Sequence, residues 1–302
     1  MAAAKWALGT AQLGQSYGIA NQTGKPSRKS AQEILETAVA AGATYLDTAP
    51  AYGDSEKIIG EYIQKQSSAS RVPSIVTKLP PVPPSADPQA IDQLVRQSAL
   101  SSIRRLHVPH IDVYLLHHPA DLTSHQENVI SALATIQAEG LVKRIGVSVY
   151  TPEEAEAALT LDCLDAIQVP VNILDHRFLR ADLLKRFASK GMAVFARSIY
   201  LQGLMLMEPE HVPPSLYTAR EPLRKLRRLA KELNMTPARL SLCFVRDQPG
   251  VDCILIGCET IEQLRKNVQM IGSPSLPPEV IKTIEQMFRD LPDAVINPSQ
   301  WR

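Results

Sequence analysis

The sequence predicts an α/β fold, a (β/α)8 TIM barrel with an extra C-terminal helix and tail. Short apolar segments rich in β-branched residues alternate with amphipathic helical segments eight times along the chain. Parallel strands need helical crossovers, and eight such strands close into a barrel filled by side chains. With 302 residues and 45% hydrophobic content, the chain can bury that core as one domain covering residues 1–302.

Four strand–helix units account for the first half of the chain. The first strand, at 6–10, is followed by a loop rich in glycine and polar residues and then by a helix at 30–41. We expect this helix to stop at Gly42, because glycine readily adopts the positive φ that ends many helices. The next strands are predicted at 44–48, 74–78 and 111–116, and the next helices at 56–65, 89–106 and 127–138.

Four further units account for the second half. Thr151, followed by proline and then by Glu154, predicts a capping box after the fifth strand, and Thr260 with Gln263 predicts another at the last barrel helix. An open doubly wound sheet is the alternative fold, but no GxGxxG motif follows the first strand. The strands are predicted at 144–148, 166–169, 192–196 and 253–256, and the helices after 151 and at 181–189, 221–233, 238–247, 261–271 and 279–289.

The overall charge gives no reason to expect nucleic acid or an anionic membrane as a partner. The 32 Lys and Arg residues nearly balance the 31 Asp and Glu residues, which leaves a net charge of +1. The N-terminal apolar run is too short for a signal peptide, and no stretch of about 20 apolar residues exists to span a bilayer. The four cysteines share no CxxC spacing, so we expect reduced core thiols and a cytoplasmic protein, with monomer and dimer both left open.

Polar residues and glycine gather at the predicted C-terminal ends of the strands, where the chemistry of a barrel is located. Asp47 ends the second strand, and Tyr52 follows five residues later in a loop. Lys78 ends the third strand and would be costly to bury unpaired, so Asp47 is its expected partner. A purely structural ion pair or a helix cap is the alternative interpretation. The strand ends are Thr10, Asp47, Lys78, His117 with His118, Ser148, Gln168, Arg197 with Ser198, and Gly257.

These residues lie in motifs that resemble the aldo-keto reductases over nearly the whole chain. The motifs include LDTAPAYG around Asp47 and Tyr52, VTK at Lys78, VYLLHHP at His117 and IGVS at Ser148. The resemblance implies a nicotinamide-dependent reductase of small carbonyl compounds on a barrel. It also implies that Asp47, Tyr52, Lys78 and His117 are its catalytic tetrad.

The four residue types suit that chemistry on physical grounds. Hydride transfer to an aldehyde or ketone leaves an alkoxide, which needs a proton donor and a positive field at the carbonyl oxygen. Tyr52 is the expected donor, and the Lys78 cation is expected to lower the pKa of its phenol towards working pH. Asp47 would hold Lys78 charged and in place, and His117 would orient the carbonyl oxygen by hydrogen bonding.

The resemblance further implies which residues hold the cofactor, NADPH, with NADH as the alternative. Ser148 and Gln168 would bind the nicotinamide carboxamide. Arg197 stands where many members have a tyrosine, and it would stack on the ring through its guanidinium plane. The rest of the dinucleotide would be contacted by Thr10, Ser198, Tyr200, Gln202, Gly257, Thr260, Gln263 and Asn267.

Other departures from the family pattern also concern this cofactor. Val149 stands where many members have a carboxamide-binding asparagine. Gly257 and Gln263 replace the lysine and arginine that often bind the 2′-phosphate of NADPH. Glu259 opposes a phosphate, whereas the pair Arg265-Lys266 is expected to replace the missing positive charge.

Polar residues are expected to line the substrate end of the site. Many members have a tryptophan after the catalytic histidine, whereas this chain has His118. Gln12 and Tyr17 of the first loop, and Trp301 if the tail covers the barrel mouth, would add hydrogen-bonding groups. Such a pocket favours small hydroxylated carbonyls such as sugars, because an apolar substrate would leave buried polar groups unpaired.

Three other functions were weighed against carbonyl reduction. A Schiff-base aldolase would use Lys78 as its nucleophile, but Asp47 would keep that amine protonated. A metal-dependent hydrolase would need a ligand set such as HxH on an early strand, which the first strand lacks, so no metal is expected. The third function is that of a sensor or regulatory subunit, a barrel that binds the dinucleotide and has very slow turnover. The sequence leaves this alternative in place.

Overall fold

The computed structural model describes residues 5–66, 72–125 and 127–301, which contain a closed barrel of eight parallel strands. Each strand pairs with the next along the chain, and the eighth pairs with the first. This topology confirms the predicted barrel. The strands are β1 (Lys5–Gly9), β2 (Tyr45–Asp47), β3 (Ser74–Leu79), β4 (Ile111–Leu116), β5 (Val142–Ser148), β6 (Ala166–Pro170), β7 (Ala193–Arg197) and β8 (Cys253–Gly257).

Helices and short 3-10 turns connect the strands. The ten predicted helices are present, and three short ones, at 11–14, 177–180 and 293–296, were not predicted. The helices are α1 (Ala11–Gly14), α2 (Arg28–Ala40), α3 (Ser55–Lys65), α4 (Pro88–Leu106), α5 (Asn128–Ala138), α6 (Pro152–Leu159), α7 (Arg177–Arg180), α8 (Leu183–Ser189), α9 (Arg220–Glu232), α10 (Pro237–Arg246), α11 (Ile261–Ile271), α12 (Pro278–Met287) and α13 (Asp293–Ile296). The 3-10 turns are Pro119–Leu122, Leu201–Leu206, Pro209–His211, Pro214–Ala219 and Pro298–Gln300.

Side chains fill the interior of the barrel. Ala7, Val76, Leu115, Phe195 and Leu255 belong to one buried cluster, to which alternate residues of the strands contribute. The intervening strand residues belong to a larger buried cluster shared with the helices. Because side chains alternate between the two faces of a strand, the inner face packs the barrel and the outer face packs the helices. The filled interior leaves space for a ligand at the ends of the strands.

Local signals in the sequence set several of the helix ends. Gly42 has φ +87 directly after α2, as predicted. Thr151 and Glu154 form the predicted capping box of α6, with both reciprocal hydrogen bonds present. The second predicted box is wrong in one half. Thr260 accepts from the backbone N–H of Gln263, but Gln263 Oε1 accepts from the N–H of Glu259, 2.8 Å away, because its side chain is also bound to that residue's carboxylate.

No helix among residues 5–66, 72–125 and 127–301 is long and apolar enough to cross a membrane. All four cysteines are free thiols. Cys243, Cys253 and Cys258 are buried, whereas Cys163 is half-buried.

Candidate active site

A cavity of about 930 Å³ opens at the C-terminal ends of the strands. It runs from the strand ends over the barrel interior to helix α11 on the outside of the barrel. Most of the residues proposed from the sequence line it, whereas Lys78, His118, Thr260, Arg265 and Trp301 do not. The proposed residues in the lining are Thr10, Gln12, Tyr17, Asp47, Tyr52, His117, Ser148, Gln168, Arg197, Ser198, Tyr200, Gln202, Gly257, Gln263, Lys266 and Asn267.

The inner face of the barrel changes from apolar to polar where the strands end. On β3, Lys78 lies two residues after the interior residue Val76, and His117 lies two residues after Leu115 of β4. The two-residue period of a strand places both side chains on the inner face, above the packed core. His118 has the opposite parity, and its side chain is 55% exposed.

Asp47 and Lys78 form a buried ion pair at the floor of the cavity. Lys78 Nζ donates to Asp47 Oδ1 and to the carbonyl oxygen of Thr48, at 2.9 Å in each case. The second carboxylate oxygen of Asp47 accepts from Gln168 Nε2 at 2.8 Å. Burial acts to lower the pKa of Lys78, but Asp47 and Tyr52 raise it further than burial lowers it. The lysine is therefore an ammonium ion, which disfavours the Schiff-base alternative.

Tyr52 stands beside this pair in the cavity wall. Lys78 Nζ lies 4.8 Å from the centroid of the Tyr52 ring. Burial raises the pKa of Tyr52 above its ordinary value, while Lys78 lowers it and Asp47 raises it. The expectation of a net lowered pKa is therefore wrong for the structure described. The reason is that burial of the phenol outweighs the effect of the Lys78 charge, which Asp47 partly offsets.

His117 faces Tyr52 across the cavity. The two rings meet edge to face, with their centroids 5.8 Å apart. Burial, helped by the positive charges of Lys78 and Arg197, lowers the pKa of His117 to about 4. The imidazole is therefore neutral near pH 7 and has one N–H to donate.

Close packing of α1 fixes the loop that carries Tyr52. A Cβ on Gly14 would overlap the carbonyl oxygen of Tyr52, and a Cβ on Gly53 would overlap the carbonyl oxygen of Gly14. Gly53 also has φ +56, which favours glycine. Beneath the loop, Thr10 Oγ1 donates to the carbonyl oxygen of Asp47 at 2.7 Å and lies 2.6 Å from Ser55 Oγ. Close packing and hydrogen bonds therefore join the loop to the end of β2.

Arg197 and Tyr150 form one wall of the cavity. The Arg197 guanidinium lies 4.4 Å from the centroid of the Tyr150 ring. It donates to the carbonyl oxygen of Val149 at 3.0 Å and to Ser198 Oγ at 3.1 Å. The chain thus places a cation, held by a backbone carbonyl and an aromatic ring, between the ends of β5 and β7.

The outer end of the cavity lies against β8 and α11. Tyr200 donates to Asn267 Oδ1 at 2.7 Å, which joins the β7 loop to α11. A Cβ on Gly257 would lie 2.6 Å from Gln12 Nε2, so the side chain of Gln12 lies against β8. Gln263 Nε2 donates to Glu259 Oε2 at 2.8 Å.

Two loops from strands that do not pair with each other meet across the end of β8. A Cβ on Gly18, in the loop after β1, would lie 3.1 Å from the carbonyl oxygen of Gln202 in the loop after β7. A Cβ on Gly203 would lie 2.7 Å from that of Ala20. Leu201 and Gln202 adopt φ +48 and +55 at this crossing, an uncommon conformation for non-glycine residues. We call residues 18–20 and 201–203 the loop crossing.

The C-terminal tail reaches the cavity through residues other than Trp301. Pro298 and Ser299 are part of the lining. The Trp301 indole donates instead to the carbonyl oxygen of Ala294 at 3.0 Å, and its ring packs against the apolar core.

Several lining residues were not proposed from the sequence. Tyr150 carried a signal, because a tyrosine two residues beyond the polar strand end at Ser148 lies near the cavity. Ala238 and Met270 lie on helices α10 and α11. Others lie in long loops or in the tail, where no two-residue period indicates which side chains face the cavity, and they include Ile19, Ala20, Gln22, Leu206, Met207, Glu208, His211, Pro298 and Ser299.

The same chain is similar in sequence and in fold to proteins of one family. A model of the Aldo/keto reductase family matches residues 5–289. The aldo-keto reductase str7 of Strobilurus tenacellus is 25% identical over 283 residues, which cover 86% of this chain and 81% of that protein. The L-glyceraldehyde 3-phosphate reductase of Escherichia coli (strain K12) is 23% identical over 295 residues, covering 87% and 84%. The solved holo form of aldo-keto reductase AKR11C1 from Bacillus halodurans shares the fold, with a TM-score of 0.76 at 22% identity and coverage of 94% and 91%.

Proposed function

The chain belongs to the aldo/keto reductase family, and we propose that it reduces small polar aldehydes and ketones to alcohols with NADPH as hydride donor. As a member of that family it is an NAD(P)H-dependent oxidoreductase that acts on carbonyl compounds. The observation that carries the proposal is the convergence of Asp47, Lys78, Tyr52 and His117 at one end of the large cavity.

In this proposal each of the four residues has a role that its surroundings support. Tyr52 keeps its proton at neutral pH, because burial raises the pKa of its phenol, and gives it to the developing alkoxide. Lys78 supplies positive charge beside the phenol, which favours the tyrosinate left after proton transfer. Asp47 holds Lys78 in place at 2.9 Å. Neutral His117 donates its N–H to the carbonyl oxygen and fixes its orientation.

The cavity fits a dinucleotide with a small carbonyl compound beside it. It extends from Tyr52 at the barrel interior to Asn267 on α11, and its volume of about 930 Å³ is at the upper end for ligand pockets. The Ser148 hydroxyl lies beside the Gln168 amide, which in turn donates to Asp47, and both are polar groups suited to the nicotinamide carboxamide. The bound nicotinamide supplies the hydride, and the protein supplies orientation and the proton.

Tyr52→Phe tests the function directly. This variant should lose nearly all carbonyl reduction, measured at 340 nm with a panel of aldehydes, and keep its affinity for the cofactor, because it lacks only the proton donor. Tyr114→Phe is the matched control, since its buried hydroxyl has no hydrogen-bond partner and lies outside the cavity lining.

Turnover of Tyr52→Phe within a few-fold of the parent would contradict the proton-donor role. If the parent itself reduces no aldehyde with either cofactor but binds one of them, the sensor function weighed above becomes the better description.

Preference for NADPH over NADH rests on Lys266. Lys266 lines the outer end of the cavity, whereas Arg265 does not. Glu259 also lines it and opposes a phosphate, but its carboxylate accepts a hydrogen bond from Gln263. Fluorescence titration should give a lower Kd for NADPH than for NADH, and Lys266→Gln should reduce this difference while Arg265→Gln leaves it unchanged. Equal or tighter binding of NADH by the parent would contradict the preference.

A small polar substrate is supported by the lining of the reactive end. Tyr17, Tyr52, His117 and Tyr150 bring hydroxyl and imidazole groups there, and the Escherichia coli relative is named for reduction of L-glyceraldehyde 3-phosphate. His118 contributes no part of the lining. The test compares kcat/KM for a hydroxylated aldehyde with that for an alkyl aldehyde of the same length. Tyr17→Phe and truncation after Val295 should lower the ratio, and His118→Leu should not. A parent that prefers the alkyl aldehyde would contradict this substrate class.

A further inference from the structure

Arg197 is a cation in the cavity wall without a carboxylate partner. Its guanidinium hydrogen-bonds to neutral oxygens, those of Val149 and Ser198, and stacks on Tyr150. Within the described ranges, no Asp or Glu oxygen lies within 4.0 Å of its nitrogens. Its positive charge is therefore not cancelled locally.

The other charges near the reactive end are balanced or absent. Lys78 and Asp47 neutralise each other in a buried pair at 2.9 Å. His117 is neutral, as its low pKa shows. Glu208, on the β7 loop, pairs with Arg227 at 3.1 Å. Arg197 thus leaves the reactive end of the cavity with one excess positive charge.

We propose that Arg197 makes the site bind reduced nicotinamide nucleotide more tightly than oxidised nucleotide, so that the protein is loaded mainly with the reduced form when both are present at equal concentration. The inference rests on the proposed function, since it concerns the cofactor of that reaction.

The physical reason is a difference in charge between the two forms of the ring. The oxidised nicotinamide ring is a cation, and the reduced ring is neutral, whereas their phosphates and riboses are the same. Arg197 acts electrostatically on both Tyr52 and His117, so a nicotinamide ring held close to these two side chains would also lie in its field. Repulsion between two positive charges in a partly desolvated site disfavours the oxidised form alone. A neutral side chain at this position would lack that effect.

The experiment measures the Kd of NADP⁺ and of NADPH by equilibrium titration and compares their ratio among variants. The parent should bind NADPH at least about tenfold more tightly, a difference of about 1.4 kcal/mol. Arg197→Gln and Arg197→Met should lower the ratio about tenfold, and Arg197→Lys, which keeps the charge, should retain most of it. Two neutral variants are included so that, if one folds poorly, the ratio can still be measured with the other.

Lys266→Gln is the matched control. It removes a cation from the outer end of the cavity, where both nucleotides are identical, so it should weaken both equally and leave the ratio unchanged. The inference is overturned if the parent binds both forms equally, if the neutral Arg197 variants keep the parental ratio, or if Lys266→Gln changes the ratio as much as they do. Failure of the parent to bind either nucleotide would instead overturn the proposed function, and the inference with it.

Discussion

His117 couples the stability of the protein to pH through its position in the cavity wall. Its pKa is about 4 in the folded protein, whereas an unfolded histidine titrates near 6.5. Between these values the unfolded chain binds a proton that the folded chain does not, so the free energy of unfolding falls as pH falls from about 6.5 to about 4. Urea denaturation at pH 7 and pH 4.5 should show a smaller loss of stability for His117→Asn than for the parent.

His118→Asn is the control for that measurement. The His118 side chain is exposed and the variant keeps the buried His117 imidazole, so most of the parental pH dependence should remain. His176 is also buried with a lowered pKa, and it adds a loss of stability in the same direction to all three proteins. The contribution of His117 is therefore obtained by comparing the loss of stability between the parent and the two variants. A parental pH dependence in His117→Asn would show that the imidazole titrates alike in both states.

Variants of the buried ion pair of Asp47 and Lys78 should affect stability and catalysis differently. Lys78→Met leaves the Asp47 carboxylate buried with Gln168 as its remaining side-chain partner, which should cost about 3–5 kcal/mol of unfolding free energy. The double variant Asp47→Asn with Lys78→Met has no unpaired charge, so it should recover most of that stability. It should remain inactive, because Tyr52 has lost its cation. A double variant as unstable as Lys78→Met, or an active one, would contradict this account.

At the level of elements, the short helix α1 determines where Tyr52 stands. Gly14→Ala should push the Tyr52 loop away, because the added methyl group would overlap the carbonyl oxygen of Tyr52. A displacement of about 1 Å at a proton donor lowers kcat/KM by about 100-fold. Gly272→Ala is the matched control, since Gly272 has φ −77 and an added Cβ would lie 3.7 Å from the carbonyl oxygen of Gln269, an ordinary van der Waals contact. Unchanged kinetics in Gly14→Ala would show that the loop adapts elsewhere.

The strands and long helices were predictable because each has a regular period, whereas α1 has none. Four residues in a loop of glycine and polar residues give no periodic signal, and α1 is held by its contact with the Tyr52 loop. The cap at Thr260 shows the same limit on a smaller scale. The Gln263 side chain binds both the backbone N–H and the carboxylate of Glu259, and the spacing of Thr260 and Gln263 gives no sign of that competing partner.

For the whole molecule, the sequence predicted which residues would come together but not their electrostatic state. Asp47, Lys78 and His117 were identifiable because each lies at the end of a predicted strand and within a motif of the family that the chain resembles. The two-residue period of a strand puts His117 and His118 on opposite sides, and the resemblance selected His117. The direction in which the pKa of Tyr52 shifts depends on two opposing effects, burial of the ring and the charge of Lys78, which Asp47 partly offsets. Both are properties of the assembled barrel. The contacts of Trp301 could not be predicted from the sequence either, because a tail has no periodicity that indicates where its side chains point.

The loop crossing, finally, affects how fast the protein can complete successive cycles. A ligand that occupies both ends of the cavity passes the end of β8, where residues 18–20 meet residues 201–203. We expect release of such a ligand to require this contact to separate, and loop motions of this kind often limit turnover. We expect a rapid burst of about one product molecule per active site, followed by a slower steady state. Ala20→Gly, which removes a methyl group next to Gly203, should speed the steady state and shrink the burst in a stopped-flow measurement; a parent without a burst would show that chemistry is the slow step.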